Sequence, residues 1–231
     1  MEVKNEEKVK QKPEGGDLIN LWITRRFSIR VTKVLAKTSI TPNQVTFVSF
    51  LFLVAAAFLF TSGDYRLVLI GVVFMPIYQM LDCVDGELAR IREIKSKYGK
   101  WLDNAFDNIG WGIFLTGATI GAFFTYPTLE FRGLPVMFML GFAAMAGYYI
   151  SSITYYYSII SFGEKKRFAI ISEMSPWKII SKSVRGFSIN VQMAIFMIGG
   201  VLNMLPVALF LYAIYANMFW VIRLVKYRRL G

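Results

Sequence analysis

The chain has 231 residues, of which 55% are hydrophobic, and a formal net charge of +11. It holds no histidine and one cysteine, which excludes disulfide frameworks, zinc fingers and imidazole acid–base chemistry and leaves oxygen as the ligand for any metal. Apolar runs recur from residue 43 onward, so the fold class is all-α and integral to a membrane. The basic residues cluster between those runs, as at a cytoplasmic membrane face, and form no nucleic-acid surface.

Residues 1–16 are a polar tail of mixed charge, expected to be disordered and without the apolar core of a cleavable signal peptide. Residues 17–40 are expected to form an amphipathic interfacial helix with Asp17 as its cap. Arg26, Arg30, Lys33 and Lys37 share one face of it, and Leu21, Phe27, Val31, Val34 and Leu35 the other. Such a helix either anchors the chain or roofs a site beneath it. Residues 41–231 read as a six-helix membrane domain, with Pro42 in the first turn of the first span. The spans fall near 43–62, 67–93, 100–124, 134–160, 187–204 and 206–224. Asn43 and Thr46 lie at the inner end of the first span, as polar caps or as ligands. Residues 163–186 form the longest loop and carry Lys165, Lys166, Arg167 and Arg185. Of the 26 Lys and Arg, all but Arg66 and Arg132 fall on the side of the termini. A multi-pass protein of the cell membrane follows, with both termini and the polar motif in the cytoplasm.

That motif runs from Asp82 to Asp107. Ionisable groups at membrane depth are costly and mark function. With a rise of about 1.5 Å per residue and a hydrocarbon core about 30 Å thick, Asp82 lies about 8 Å and Asp85 about 3 Å below the inner boundary. On the next, antiparallel span Asp103 lies about 5 Å and Asp107 about 10 Å deep. Spacings of three and four residues keep each pair on one helix face. A cluster of four carboxylates results, open to the cytosol. Four such groups do not all stay ionised unaided; one or two divalent cations resolve the repulsion, Mg²⁺ first, with Mn²⁺ or Ca²⁺ able to replace it. Mg²⁺ completes its shell with substrate phosphates, which points to a phosphorylated substrate. Gly86 and Ala89 serve close approach of a substrate, close helix packing, or both. Arg90 either holds a phosphate or merely obeys the positive-inside rule. An ion transporter would also place carboxylates in the membrane, but internal repeats and midplane helix breaks are missing from the pattern.

The spacing D-x2-D-G-x2-A-R-x8-G-x3-D-x3-D, filled by Asp82, Asp85, Gly86, Ala89, Arg90, Gly99, Asp103 and Asp107, resembles the signature of the CDP-alcohol phosphotransferase family. The resemblance implies transfer of a phospho-alcohol from a CDP-alcohol to an acceptor hydroxyl, with release of CMP. It implies that Asp82, Asp85 and Asp103 ligate two metal ions, Mg²⁺ or Mn²⁺, and that Asp107 completes the cluster and takes the acceptor's proton. It places Asp85, Gly86, Ala89, Arg90 and Gly99 on the CDP and implies a homodimer; Asn43 and Thr46, from their position at the end of the first span, are expected beside the CDP. The stretches G-D-L-I-N-L-W-I-T-R-R-F-S-I-R and I-T-P-N-Q-V-T look like members that use inositol phosphates, di-myo-inositol-phosphate-phosphate synthases above all. Some of those carry a fused cytidylyltransferase, which is not expected in this chain. The alternative is a phospholipid synthase that takes a CDP-linked lipid and an inositol phosphate or another polar alcohol. Lys165, Lys166, Arg167, Arg185 and Arg223 suit a phosphate on the acceptor, or else serve topology. Cys83 is expected to pack, Glu87 and Glu93 to be solvated partners of nearby cations, and Lys97 and Lys100 to snorkel. Tyr148, Tyr155, Tyr156 and Tyr157 are expected in an interfacial aromatic belt.

Overall fold

A computed structural model describes residues 24–94, 96–172 and 189–228 of the chain. The expected tail at 1–16, the start of the expected interfacial helix and most of the expected 163–186 loop lie outside the described residues. Helix α1 spans Thr24–Leu35. Helix α2, Pro42–Thr61, begins in a capping box: Thr41 Oγ1 accepts from the Gln44 amide at 3.3 Å, and Gln44 Oε1 accepts from the Thr41 amide at 2.8 Å. The two exchanged bonds satisfy donors that a helix start otherwise leaves open. Asp64 caps α3, Tyr65–Ile91, by accepting from the amides of Arg66 and Leu67. The far end of α3 closes in a Schellman motif, with Ile94 N donating to Ala89 O at 2.9 Å and Glu93 N to Arg90 O at 3.2 Å. Glu93 takes the left-handed φ of 57° this turn requires, a conformation that glycine usually supplies. Ser96 then caps α4, Lys97–Thr125, by accepting from the Gly99 amide at 3.0 Å.

The connection after α4 is a small hairpin rather than a plain loop. Strands β1 (Glu130–Phe131) and β2 (Leu134–Pro135) pair antiparallel, turned by Arg132 and Gly133 at φ of 51° and 76°. Two successive positive φ values match the twist of a two-residue hairpin. Helix α5 spans Val136–Ser172, so the first part of the expected 163–186 loop is helical instead; Gly163 does not break it. Helices α6 (Ile189–Val201) and α7 (Leu205–Tyr227) follow, joined by a second Schellman turn at Asn203.

Helix α2 packs on α3 and α4, α7 on α5 and α6, and α4 on α5. Leu53, Phe60, Met75, Trp111, Phe114, Phe196 and Tyr212 fill the core and are essentially inaccessible. The α2–α4 crossing is a glycine seam. A Cβ at Gly117 would strike the Ala57 carbonyl oxygen, and one at Gly121 the Phe60 carbonyl oxygen, so the two backbones touch. Small residues permit such contact where no hydrophobic force drives helices together.

Six spans were expected; among the described residues four helices are long and apolar enough to cross a membrane: Pro42–Thr61, Tyr65–Ile91, Val136–Ser158 and Leu205–Val225. Helix α4 carries lysines and aspartates in its first turns and glycine and threonine beyond them, which lowers its hydropathy. The described part of α6 has 13 residues, short of the roughly 20 a span needs. Phe58, Phe142 and Ile160 are more than 70% exposed, consistent with a multi-pass membrane protein whose outer surface faces lipid.

Candidate active site

The site forms where the second half of α3 meets the first half of α4. Asp82 and Asp85 lie one turn apart on α3, and Asp103 projects from α4. One carboxylate oxygen from each of these three lies within 4.8 Å of the others. Two of them ionised together at that separation repel by about 3 kcal/mol at an effective dielectric of about 20. The donor set is all oxygen, which suits a hard divalent cation. Thr46 of α2, buried at 5% exposure, donates from Oγ1 to Asp85 Oδ2 at 2.6 Å. That bond fixes one Asp85 oxygen and so aims the other. Asp107 stands outside this trio. Its Oδ1 accepts from the hydroxyl of the buried Tyr78 at 2.7 Å.

Beside the trio opens a cavity of about 1170 Å³. Helix α2 lines it with Pro42, Asn43 and Thr46, and α3 with Asp85, Gly86, Ala89 and Arg90. The turn adds Glu93, Ile94 and Ser96, and α4 adds Lys97, Gly99, Lys100 and Asp103. Two glycines make room in its wall. A Cβ at Gly99 would lie 3.1 Å from Asn43 Oδ1, and one at Gly86 would lie 3.3 Å from Arg90 Nη1. Arg90 Nε is buried without a hydrogen-bond partner among the described residues, an orphan donor of the kind a bound anion satisfies. The carboxylates, the orphan guanidinium nitrogen and the lysines together fit a divalent cation and a phosphorylated ligand.

The structure therefore brings together Asp82, Asp85 and Asp103, and lines one cavity with Asn43, Thr46, Gly86, Ala89, Arg90 and Gly99. It does not bring Arg223 there. Arg223 Nη1 donates to Ser151 O and Thr154 Oγ1, tying α7 to α5. The side chains of Lys165, Lys166 and Arg167, and all of Arg185, lie outside the described residues. Lys97 and Lys100 line the cavity, not only the membrane boundary. Glu87 is not solvated: it is 4% exposed and accepts two hydroxyl hydrogen bonds from α1. Tyr148 is not in an interfacial belt but 5% exposed beside Trp111, and Tyr156 donates to Asn104 Oδ1 at 3.0 Å. Tyr78 was missed. Its signal is its place one turn before Asp82, on the same face of α3.

A helical membrane bundle with a carboxylate trio beside a cavity that holds Arg90, Lys97 and Lys100 defines a class: membrane proteins whose site fits a divalent metal and a phosphate ester. Within that class the chain belongs to the CDP-alcohol phosphatidyltransferase family, whose sequence model matches residues 39–225. It is 35% identical over 92 residues to the archaetidylinositol phosphate synthase of Pyrococcus horikoshii, covering 40% of this chain and 47% of that protein. It is 31% identical over 136 residues to the bifunctional IPC transferase and DIPP synthase of Thermococcus kodakarensis, covering 59% of this chain and 28% of that one. The matched stretches thus span less than half the length of these curated relatives. The fold is shared with the phosphatidylinositol phosphate synthase of Mycobacterium tuberculosis crystallised with CDP-DAG. The TM-score is 0.61 at 21% identity, over 87% of this chain and 93% of that one. A second structure of that synthase, in complex with manganese and citrate, superposes with a TM-score of 0.58 at 18% identity, covering 86% and 88% of the two chains.

Proposed function

We propose that this chain transfers the phospho-alcohol of a CDP-alcohol to the hydroxyl of an inositol phosphate and releases CMP. The observation that carries the reading is the closing of the Asp82–Asp85–Asp103 trio against a cavity lined by the other signature residues, Gly86, Ala89, Arg90 and Gly99. In the reaction the acceptor oxygen forms a bond to the phosphorus that bears the alcohol. The bond from that phosphorus to the bridging oxygen breaks, CMP leaves with that oxygen, and the acceptor proton passes to a carboxylate. Asp107 takes that proton. It lies one turn beyond Asp103 on α4, and a carboxylate in hydrogen-bond reach of the nucleophile serves as a base. Asp82, Asp85 and Asp103, completed by Asp107, hold one or two divalent cations, Mg²⁺ or Mn²⁺. Bound there, such ions neutralise charge on the diphosphate and on the leaving CMP. Arg90 neutralises the diphosphate from the other side, Gly86, Ala89 and Gly99 admit it close to the backbone, and Asn43 and Thr46 complete the wall.

The donor in this reading is CDP-inositol and the acceptor inositol 1-phosphate, supported by the inositol-type N-terminal stretches and the Thermococcus relative. A second reading, a CDP-linked lipid as donor, draws support from the Pyrococcus relative and from the fold neighbour crystallised with CDP-DAG. CMP release by the purified chain with Mg²⁺ separates them, with each donor offered alongside inositol 1-phosphate. CMP from CDP-inositol supports the first reading, and CMP only from the CDP-lipid replaces it with the second. Turnover undiminished in Asp107→Asn refutes the base. Lys165, Lys166, Arg167 and Arg185 are the proposed cations for the acceptor phosphate. Arg223 joins them only if it gives up its ties to α5. We further propose six spans, α1 in the membrane interface, both termini in the cytoplasm and a homodimer, on the strength of charge distribution and family membership.

A further inference from the structure

Glu87 stands at a variable place in the signature, and the reaction above gives it no part. Yet both its oxygens are committed. Ser28 Oγ donates to Oε1 at 2.9 Å and Thr32 Oγ1 to Oε2 at 2.7 Å, and both hydroxyl residues are fully buried. A helix that served only as a membrane anchor would not turn its polar face inward to a carboxylate. Arg92 ties the other end of α1, donating to the carbonyls of Leu35 at 2.9 Å, Thr38 at 2.6 Å and Ile40. Val31 and Leu35 pack on Val84 and Leu88 between these ties. Helix α1 is therefore clamped to the back of the α3 segment whose front lines the cavity.

Glu87 and Arg90 are three residues apart on α3, the spacing at which opposite charges pair, and the Glu87 charge does act on Arg90. The guanidinium nevertheless lies along Gly86 at the cavity wall, with Nε unpartnered. We propose that Ser28 and Thr32 make Glu87 a positioning residue: the two hydroxyls hold its carboxylate toward α1 and so keep Arg90 turned to the ligand's phosphate. Without the hydroxyls, Glu87 captures Arg90 and competes with that phosphate. The inference rests on the reading that Arg90 holds the diphosphate.

The test is calorimetric binding of CDP, with Mg²⁺, to the purified full chain. Ser28→Ala/Thr32→Val is expected to weaken CDP binding about tenfold, the scale of one charge-assisted hydrogen bond. Adding Glu87→Gln to that pair is expected to restore most of the loss, since a neutral amide does not capture a guanidinium. A merely structural clasp gives the opposite result, because removing its last polar leg deepens the defect, and that outcome overturns the proposal. Wild-type binding by the double variant, with Arg90→Ala weakened, overturns the clasp and leaves the reading of Arg90 standing. Wild-type binding by Arg90→Ala overturns both. If the double variant does not fold, Thr32→Val with and without Glu87→Gln carries the same comparison.

Discussion

The hydroxyl of Tyr78 has one visible task. It sits in the core at 1% exposure and donates to Asp107 Oδ1, which fixes one oxygen of the proposed base. Tyr78→Phe removes a single atom and no volume that the core needs. A hydrogen bond to a charged group contributes about 1.5–3 kcal/mol, so kcat for CMP release is expected to fall between about tenfold and a hundredfold. CDP affinity should stay close to wild type, because Tyr78 does not line the cavity. A raised KM with an unaltered kcat would place Tyr78 in binding instead. The aspartates were legible in the sequence because spacings of three and four residues on adjacent helices fix which groups face each other. Tyr78 has the same spacing to Asp82 but no chemistry that marks it out in an aromatic-rich chain. The burial of Glu87 leaves no mark in the local sequence, because its partners, Ser28 and Thr32, lie 59 and 55 positions away on a helix whose pattern is dominated by its apolar and basic faces. A three-sided helix, one face turned to protein, another carrying Phe27 and Val34 outward and a third basic, looks two-sided when only hydropathy is counted.

Helix packing places these residues. Thr46 comes from α2, Asp85 from α3 and Asp103 from α4, so the trio and its Thr46 tie depend on how closely α2 and α4 cross. Gly121 sets that distance. A Cβ there meets the backbone oxygen of Phe60, which has no rotamer through which to yield. Gly121→Ala is expected to cost about 1–3 kcal/mol, as overpacking does, and to lower the melting temperature in detergent. It should also weaken divalent-metal binding, since the separated helices carry Thr46 and Asp103. A melt equal to wild type would mean that the seam opens without strain. The spacing Gly117-x3-Gly121 is plain in the sequence, but its partner surface, the carbonyls of Ala57 and Phe60, is backbone and leaves no mark there. Other elements were obscured for similar reasons. Arg132-Gly133 turns strands of two residues each, too short for any alternation to show. The span expected near 134–160 continues as a helix to Ser172, through Gly163, a residue a helix tolerates at a cost of about 1 kcal/mol.

The bundle as a whole is built around a destabilising element. Three carboxylates held within 4.8 Å repel one another in the folded chain and separate freely in the unfolded one. A cation that binds only the folded trio therefore stabilises the whole molecule. At a free concentration of a hundred times its Kd it contributes about 2.7 kcal/mol. Thermal unfolding in detergent is expected to show a higher melting temperature in Mg²⁺ or Mn²⁺ than in chelator, rising with metal concentration as that relation requires. Asp82→Asn keeps the shape of the side chain and removes one of the three charges. It should melt at or above the wild type in chelator, because the repulsion is relieved, and should lose most of the metal-induced rise. The two effects have opposite signs, which separates them from any general loss of packing at Asp82. A wild-type melt indifferent to both metals would sink the metal site. An Asp82→Asn variant that responds to metal as the wild type does would remove Asp82 from the ligand set and leave Asp85, Asp103 and Asp107 to hold the ion.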